Sequence, residues 1–88
     1  MSTQRFWKRS TANLGAKVDR FRNRAHHATF DDFESFTMIA RKQYVQNLLL
    51  ATQFASVRGS VVECGVWRGG MIAGIARLLG PDRHYVFV

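Results

Sequence analysis

The stretch Val61-Val62-Glu63-Cys64-Gly65-Val66-Trp67-Arg68-Gly69-Gly70 gathers the residue types in this chain best suited to chemistry. Two β-branched residues run into an acid, then a glycine-broken turn, then a helix start. Open α/β sheets build small-molecule sites this way, at the carboxyl end of a strand. Glu63 sets the sign of the ligand. A loop that cradles phosphate gathers backbone N–H groups and positive charge. A carboxylate about 4 Å from an anion would cost roughly 1 kcal/mol in water and several times that near a protein surface. Glu63 therefore argues against an anionic ligand and suits a cationic one. Gly65 and Gly69 let a ligand approach the backbone closely. A helix start near Gly70 offers free N–H groups and a positive dipole end to a carboxylate, and Arg68 can add a charge-assisted bond. The dinucleotide fingerprint G-x-G-x-x-G is absent, which weighs with Glu63 against a nucleotide-dependent oxidoreductase.

Each of these residues also has a plainer reading. Glu63 could cap the following helix, Trp67 could close the loop by packing, and Arg68 could simply be solvated. Cys64 is expected to point off the strand into apolar surroundings and to be inert, with nothing basic beside it to stabilise a thiolate. His26 and His27 are adjacent, so on a helix they face different ways, and no further ligand stands at metal-site spacing.

The elements that must position the loop are legible from periodicity. Leu14, Val18, Phe21 and Ala25 form one stripe of a helix over roughly residues 11 to 25, which should dock on the rest of the protein or on a second subunit. Ala28 to Phe36 reads as a single helical turn or an aromatic-rich connector. Thr29 and Asp32 have capping-box spacing, and Phe30, Phe33 and Phe36 are expected in the core. From Met38 to Val57 a long helix presents Tyr44, Leu48, Ala51 and Ala55, flanked by Val45, Leu49 and Thr52, and Arg58-Gly59-Ser60 ends it. Val61-Val62 opens a strand expected to be covered on both faces. A helix follows from about Gly70 to Gly80-Pro81, and His84 to Val88 reads as a second strand. The organisation is a basic arm (1–28), a helical cap (29–58) and the start of an α/β domain built on a β-α-β unit (59–88).

Composition sets the bounds. At 88 residues and net charge +7, the chain makes at most one domain and buries about 60–65% of its unfolded surface. Leu48-Leu49-Leu50-Ala51 is far shorter than the ~20 apolar residues of a membrane span, and no apolar run follows Arg5, Lys8 and Arg9 to make a secretory signal. A cytoplasmic location follows as the default, although the Arg-rich, acid-poor start also has the profile of a transit peptide. Arg5, Lys8, Arg9, Lys17, Arg20, Arg22 and Arg24 lie in the first 28 residues with Asp19 as their only acid. This arm is either a solvated face or a contact for nucleic acid, an anionic surface or an acidic partner. Nucleic acid is disfavoured, because only Phe6-Trp7 could stack on bases. Two parallel strands leave both sheet edges unpaired, and an apolar strand is a poor ending for a natural chain. The chain is therefore expected to be a fragment, or a truncated reading frame, of a protein more than about twice as long.

Counting from Glu63, glycines fall at plus two and plus six, the spacing of the glycine-rich first motif of class I S-adenosylmethionine-dependent methyltransferases. The longer string Glu63 to Gly70, preceded by Gly59-Ser60-Val61-Val62 and further upstream by Thr37-Met38-Ile39, closely resembles the macrocin O-methyltransferase (TylF/MycF) family, which methylates sugar hydroxyls on macrolides. The resemblance covers Phe36 to Val88. It implies a Rossmann-like α/β fold, here the N-terminal helices and first β-α-β unit, with S-adenosylmethionine as donor and magnesium assisting deprotonation of a small-molecule hydroxyl acceptor. Carried over by position, Glu63, Gly65, Trp67, Arg68, Gly69 and Gly70 would line the methionine end of the cofactor, with Thr37 and Met38 near it. The ribose-binding acid, metal ligands and catalytic base of the family are not among these residues, so no methyl transfer is expected of this chain alone. A homo-oligomer through the amphipathic basic helix is possible. The contrasting reading is a non-catalytic basic module that contacts nucleic acid or an anionic surface.

Overall fold

The computed structural model describes residues 14–65 and 67–88. It is an α/β arrangement of four helices and a two-stranded parallel sheet. Helix α1 covers residues 14–22, and after a turn at Asn23 come α2 (Arg24–Phe33), a 3-10 turn (Glu34–Phe36), α3 (Arg41–Thr52), β1 (Val61–Glu63), α4 (Gly70–Leu79) and β2 (Tyr85–Phe87). Arg5, Lys8, Arg9 and Phe6-Trp7, and the expected helix over residues 11–13, lie outside the described residues.

The single helix expected over 11–25 is divided. Asn23 adopts φ −107°, ψ 30°, and its side chain donates to Asp19 Oδ1 at 2.8 Å. The break is confined to this one residue, since Asn23 N–H still donates to Asp19 O and His27 N–H to Asn23 O, each at 2.9 Å. The segment read as a single turn or connector, Ala28 to Phe36, is instead helical through Phe33. Thr29 therefore sits inside a helix, where its Oγ1 donates to the Ala25 carbonyl at 3.1 Å, and it caps nothing. Asp32 pairs with Arg77 of α4 at 2.6 Å. Of the three phenylalanines expected in the core, Phe30 is buried, Phe33 is half-buried beneath the Arg77 guanidinium, and Phe36 is exposed.

Helix α3 begins at Arg41 rather than Met38, because Ala40 is extended, and it ends at Thr52 rather than Val57. Beyond it the chain tightens into i→i−3 turns, with Gln53 N–H on Leu50 O at 3.0 Å and Phe54 N–H on Ala51 O at 3.0 Å. Arg83, just before β2, donates to the Ala55 and Val57 carbonyls at 2.6 Å each. The helix has thus already ended before Arg58-Gly59-Ser60, and Arg83 holds the turns that lie between. The apolar face of α3 is buried only in its first two turns, at Tyr44, Val45 and Leu48, while Leu49, Thr52 and Ala55 are exposed.

The core forms where α2, α3 and α4 meet. Phe30, Tyr44, Leu48 and Met71 pack together, with Ile39, Ile75 and Leu78 around them. Phe30 meets Tyr44 edge-on, with centroids 5.2 Å apart. Small residues allow this approach: a Cβ on Gly74 would lie 2.1 Å from the Tyr44 hydroxyl and 3.2 Å from Thr29 Cγ2.

In the sheet, Val61, Val62 and Glu63 register with Tyr85, Val86 and Phe87. Side chains alternate across a strand, so Val61 and Glu63 are half-buried on the helical side while Val62 is 58% exposed. Val86 and Phe87 are exposed as well. Among the described residues, the strand expected to be covered on both faces is half-buried on one and exposed on the other. No helix among the described residues is long and apolar enough to cross a membrane.

Candidate functional site at the end of the first strand

The last residue of β1 is Glu63, whose backbone continues the ladder: Val88 N–H donates to Glu63 O at 3.0 Å, and Gly65 N–H donates to Val88 O at 3.1 Å. The chain then leaves the sheet through Gly65 at φ +78° and enters α4 through Gly69 at φ +81°. Both are left-handed conformations that a side chain would strain. Apart from its chain neighbours, a Cβ at Gly65 would meet nothing within 4 Å among the described residues, so the backbone there stands open to them.

Gly70 is glycine for a different reason. A Cβ there would lie 2.7 Å from the Phe36 carbonyl group and 2.8 Å from Thr37 Cβ. Phe36 and Thr37 thus lie directly against the start of α4. Thr37 Oγ1 is engaged locally, accepting from Ile39 N–H at 3.1 Å, while Met38 is 77% exposed. The Tyr44 hydroxyl, fully buried, donates to the Gly70 carbonyl at 2.7 Å and ties α3 to the same point.

The electrostatics centre on Glu63. Its Oε2 is buried without a hydrogen-bond partner among the described residues, and α4 has no side-chain cap there, so Glu63 does not cap that helix. A buried carboxylate oxygen left unpaired is costly unless a ligand supplies the donor. Arg68 and Trp67 are both exposed, with the guanidinium 4.6 Å over the indole ring. Trp67 thus packs on its neighbour and not into the core. Cys64 is exposed, not set in apolar surroundings, because it lies past the strand in the bend. Two cavities, of about 540 Å³ among α1, α2 and α3 and about 310 Å³ beside the turns after α3, lie away from this loop.

His27 belongs to a separate polar cluster. It is buried between Asp19, 3.0 Å from Nε2, and Arg41, 3.2 Å from Nδ1. Arginine can only donate, so Nδ1 accepts and Nε2 carries the proton shared with Asp19. Arg41 also pairs with Asp31 and lies over the Phe30 ring. No group of three His, Cys, Asp or Glu residues among the described residues could hold a metal ion.

Gly74 and Arg83 are positioning residues that sequence periodicity did not single out. Tyr44 stands on the apolar helix face that the periodicity predicts, but its bond to the Gly70 carbonyl does not follow from that pattern; the cue is that a tyrosine on a buried helix face needs a partner for its hydroxyl.

An acid ending a parallel strand, a turn with two left-handed glycines and an uncapped helix start belong to an α/β protein. The model of the macrocin-O-methyltransferase (TylF) family matches residues 3–87, and the chain belongs to that methyltransferase family. The match includes residues 3–35, ahead of the Phe36–Val88 region to which the resemblance had been limited. A comparison with curated proteins finds no match, and one with solved structures finds none either.

Proposed function

We propose that the Glu63–Gly70 loop receives the methionine end of S-adenosylmethionine, in a protein whose reaction is O-methylation of a sugar or other small hydroxylated molecule. The observation that carries this reading is the buried, unpartnered Oε2 of Glu63 at the carboxyl end of β1. The donor set fits the group. Glu63 would accept from the ligand's ammonium, and the free N–H groups at the start of α4 would meet its carboxylate, with Arg68 adding a charge-assisted bond. Gly65 leaves room for the approach, and Thr37, packed against Gly70, would stand near the ligand with Met38 beside it. When bound, S-adenosylmethionine supplies an electrophilic methyl group on its sulfonium. The chain's own residues act by holding the donor in one orientation, an entropic contribution to methyl transfer. Family membership supports this reading, as does the interpretation of β1–α4–β2 as the opening unit of a Rossmann-like fold. The magnesium implied by the resemblance finds no donor set among the described residues, and no step is assigned to it.

The test is a titration of ¹⁵N-labelled protein with S-adenosylmethionine, followed by amide shifts. Shifts concentrated at Glu63, Gly65 and Trp67 to Gly70, and lost in Glu63→Gln, are expected. Shifts that leave this loop untouched, or that persist unchanged in Glu63→Gln, would overturn the assignment.

A further inference from the structure

The apolar stripe of α1 faces away from the protein body. Leu14, Val18 and Phe21 recur at helical spacing and are 63%, 43% and 70% exposed. The opposite side of the helix, carrying Gly15, Ala16, Asp19 and Arg20, lines the cavity shared with His27, Arg41 and Val45. At 3.6 residues per turn, Lys17 and Arg22 fall on the two flanks of the stripe. Arg24 lies just beyond, its guanidinium 5.0 Å over the Phe21 ring. Among the described residues none of Lys17, Arg20, Arg22 or Arg24 pairs with a carboxylate, and the helix's one acid, Asp19, is bonded to Asn23 and His27 on the inner side.

We infer that α1 docks on an anionic lipid surface, with Leu14, Val18 and Phe21 entering the headgroup boundary and the flanking cations reaching the headgroups. This does not depend on the methyl-transfer reading. An exposed apolar stripe between rows of Lys and Arg is the pattern of a helix lying in a membrane interface, where long cationic side chains extend to the charged layer. Charge selects this occupant over a second copy of the chain: stacking two such stripes would bring Lys17 and Arg22 of one copy against those of the other, which is repulsive. The body anchors the inner face of α1 through Asp19 and His27, so the outer face is presented without unfolding anything.

Partition of the full chain between buffer and phosphatidylserine–phosphatidylcholine vesicles, against vesicles of pure phosphatidylcholine, tests this. Binding to the anionic vesicles alone is expected. It should weaken about fivefold for each of Lys17→Gln and Arg22→Gln, fall with salt, and be lost in Leu14→Ser/Phe21→Ser. The replaced side chains are exposed, and unchanged circular dichroism verifies the fold of each variant. Absence of vesicle binding would overturn the inference, as would binding that ignores Leu14→Ser/Phe21→Ser. So would sedimentation showing a dimer that this double substitution dissolves, since a second copy would then own the stripe. Affinity for a DNA duplex that is tighter than for anionic vesicles and indifferent to the stripe would overturn it as well.

Discussion

The Tyr44 hydroxyl donates to the carbonyl of Gly70 across 26 residues of sequence, at 2.7 Å and fully shielded from solvent. One bond thereby fixes α3 to the residue that opens α4 and closes the candidate site. The environment is strongly biased toward the neutral phenol. Burial pushes the Tyr44 hydroxyl up to about 12, Arg77 pulls the other way, and Glu63 pushes it up further.

Tyr44→Phe should lower stability at neutral pH by about 1–3 kcal/mol, since the Gly70 carbonyl stays buried without its donor. The folded-state value lies above the ordinary 10.0, so the native chain keeps this contribution below pH 10 and loses it as pH rises through about 12. The phenylalanine variant lacks that titration. Urea denaturation across this window should show the two proteins converging, and a gap that stays constant with pH would contradict the account.

Gly74→Ala should destabilise even though alanine gains about 1 kcal/mol over glycine inside a helix. The new methyl would stand 2.1 Å from the Tyr44 oxygen and 2.9 Å from Cζ, and overpacking of this kind costs about 1–3 kcal/mol. Combining it with Tyr44→Phe removes the closest contact, so the double variant should lose less than the sum of the two. Additive losses in urea midpoints would mean that the contact is slack.

These two relationships mark what the sequence made legible. The β1–loop–α4–β2 order was readable because Val61-Val62, the glycine spacing and Gly80-Pro81 are local signals. Helix α3 was readable in kind but displaced at both ends: it starts after Ala40, whose backbone is extended, and stops at Thr52, ahead of turns whose Ala55 and Val57 carbonyls are held by Arg83 from distant sequence. Helix α2 was missed because Phe30, Phe33 and Phe36 recur every third residue among acids, with no strong helical stripe. Its burial comes from packing against α3 and α4. In the site, Gly65 and Gly69 carry φ values that their residue type announces. Gly70 and Thr37 meet only because tertiary packing brings residue 37 beside residue 70.

Glu63→Met should raise the stability of the ligand-free chain, by on the order of 1 kcal/mol, because it replaces a buried oxygen without a partner by an apolar group of similar length. The same change removes the acceptor proposed for the ammonium. The expected pair of results is therefore a higher urea midpoint and a lost response to S-adenosylmethionine. A variant less stable than the parent would show that the carboxylate is satisfied by some contact of its own.

Arg83→Lys should cost about 1–2 kcal/mol, since an ammonium cannot reproduce the fork that spans the Ala55 and Val57 carbonyls. The loss should be local. Amide exchange of residues 53–60 should accelerate while Tyr44 and Leu48, in the core, keep their protection. Uniform acceleration would instead make Arg83 a contributor to global stability.

Acid should loosen α1 before the rest. Asp19 is held below its ordinary value of 3.8, first by the hydrogen bond from His27 and then by that from Asn23. A depressed carboxyl stabilises the fold at pH above its unfolded value, and that contribution is lost as pH falls through the lowered folded value. The Cα shifts of residues 14–22 should therefore hold their helical values down to about pH 4 and drift toward coil below it. The core reporters Phe30 and Leu48 should lag behind. Asp19→Asn should show a weakened α1 at every pH, with this acid transition absent. A drift with its midpoint above 3.8 would place the latch on a group other than Asp19.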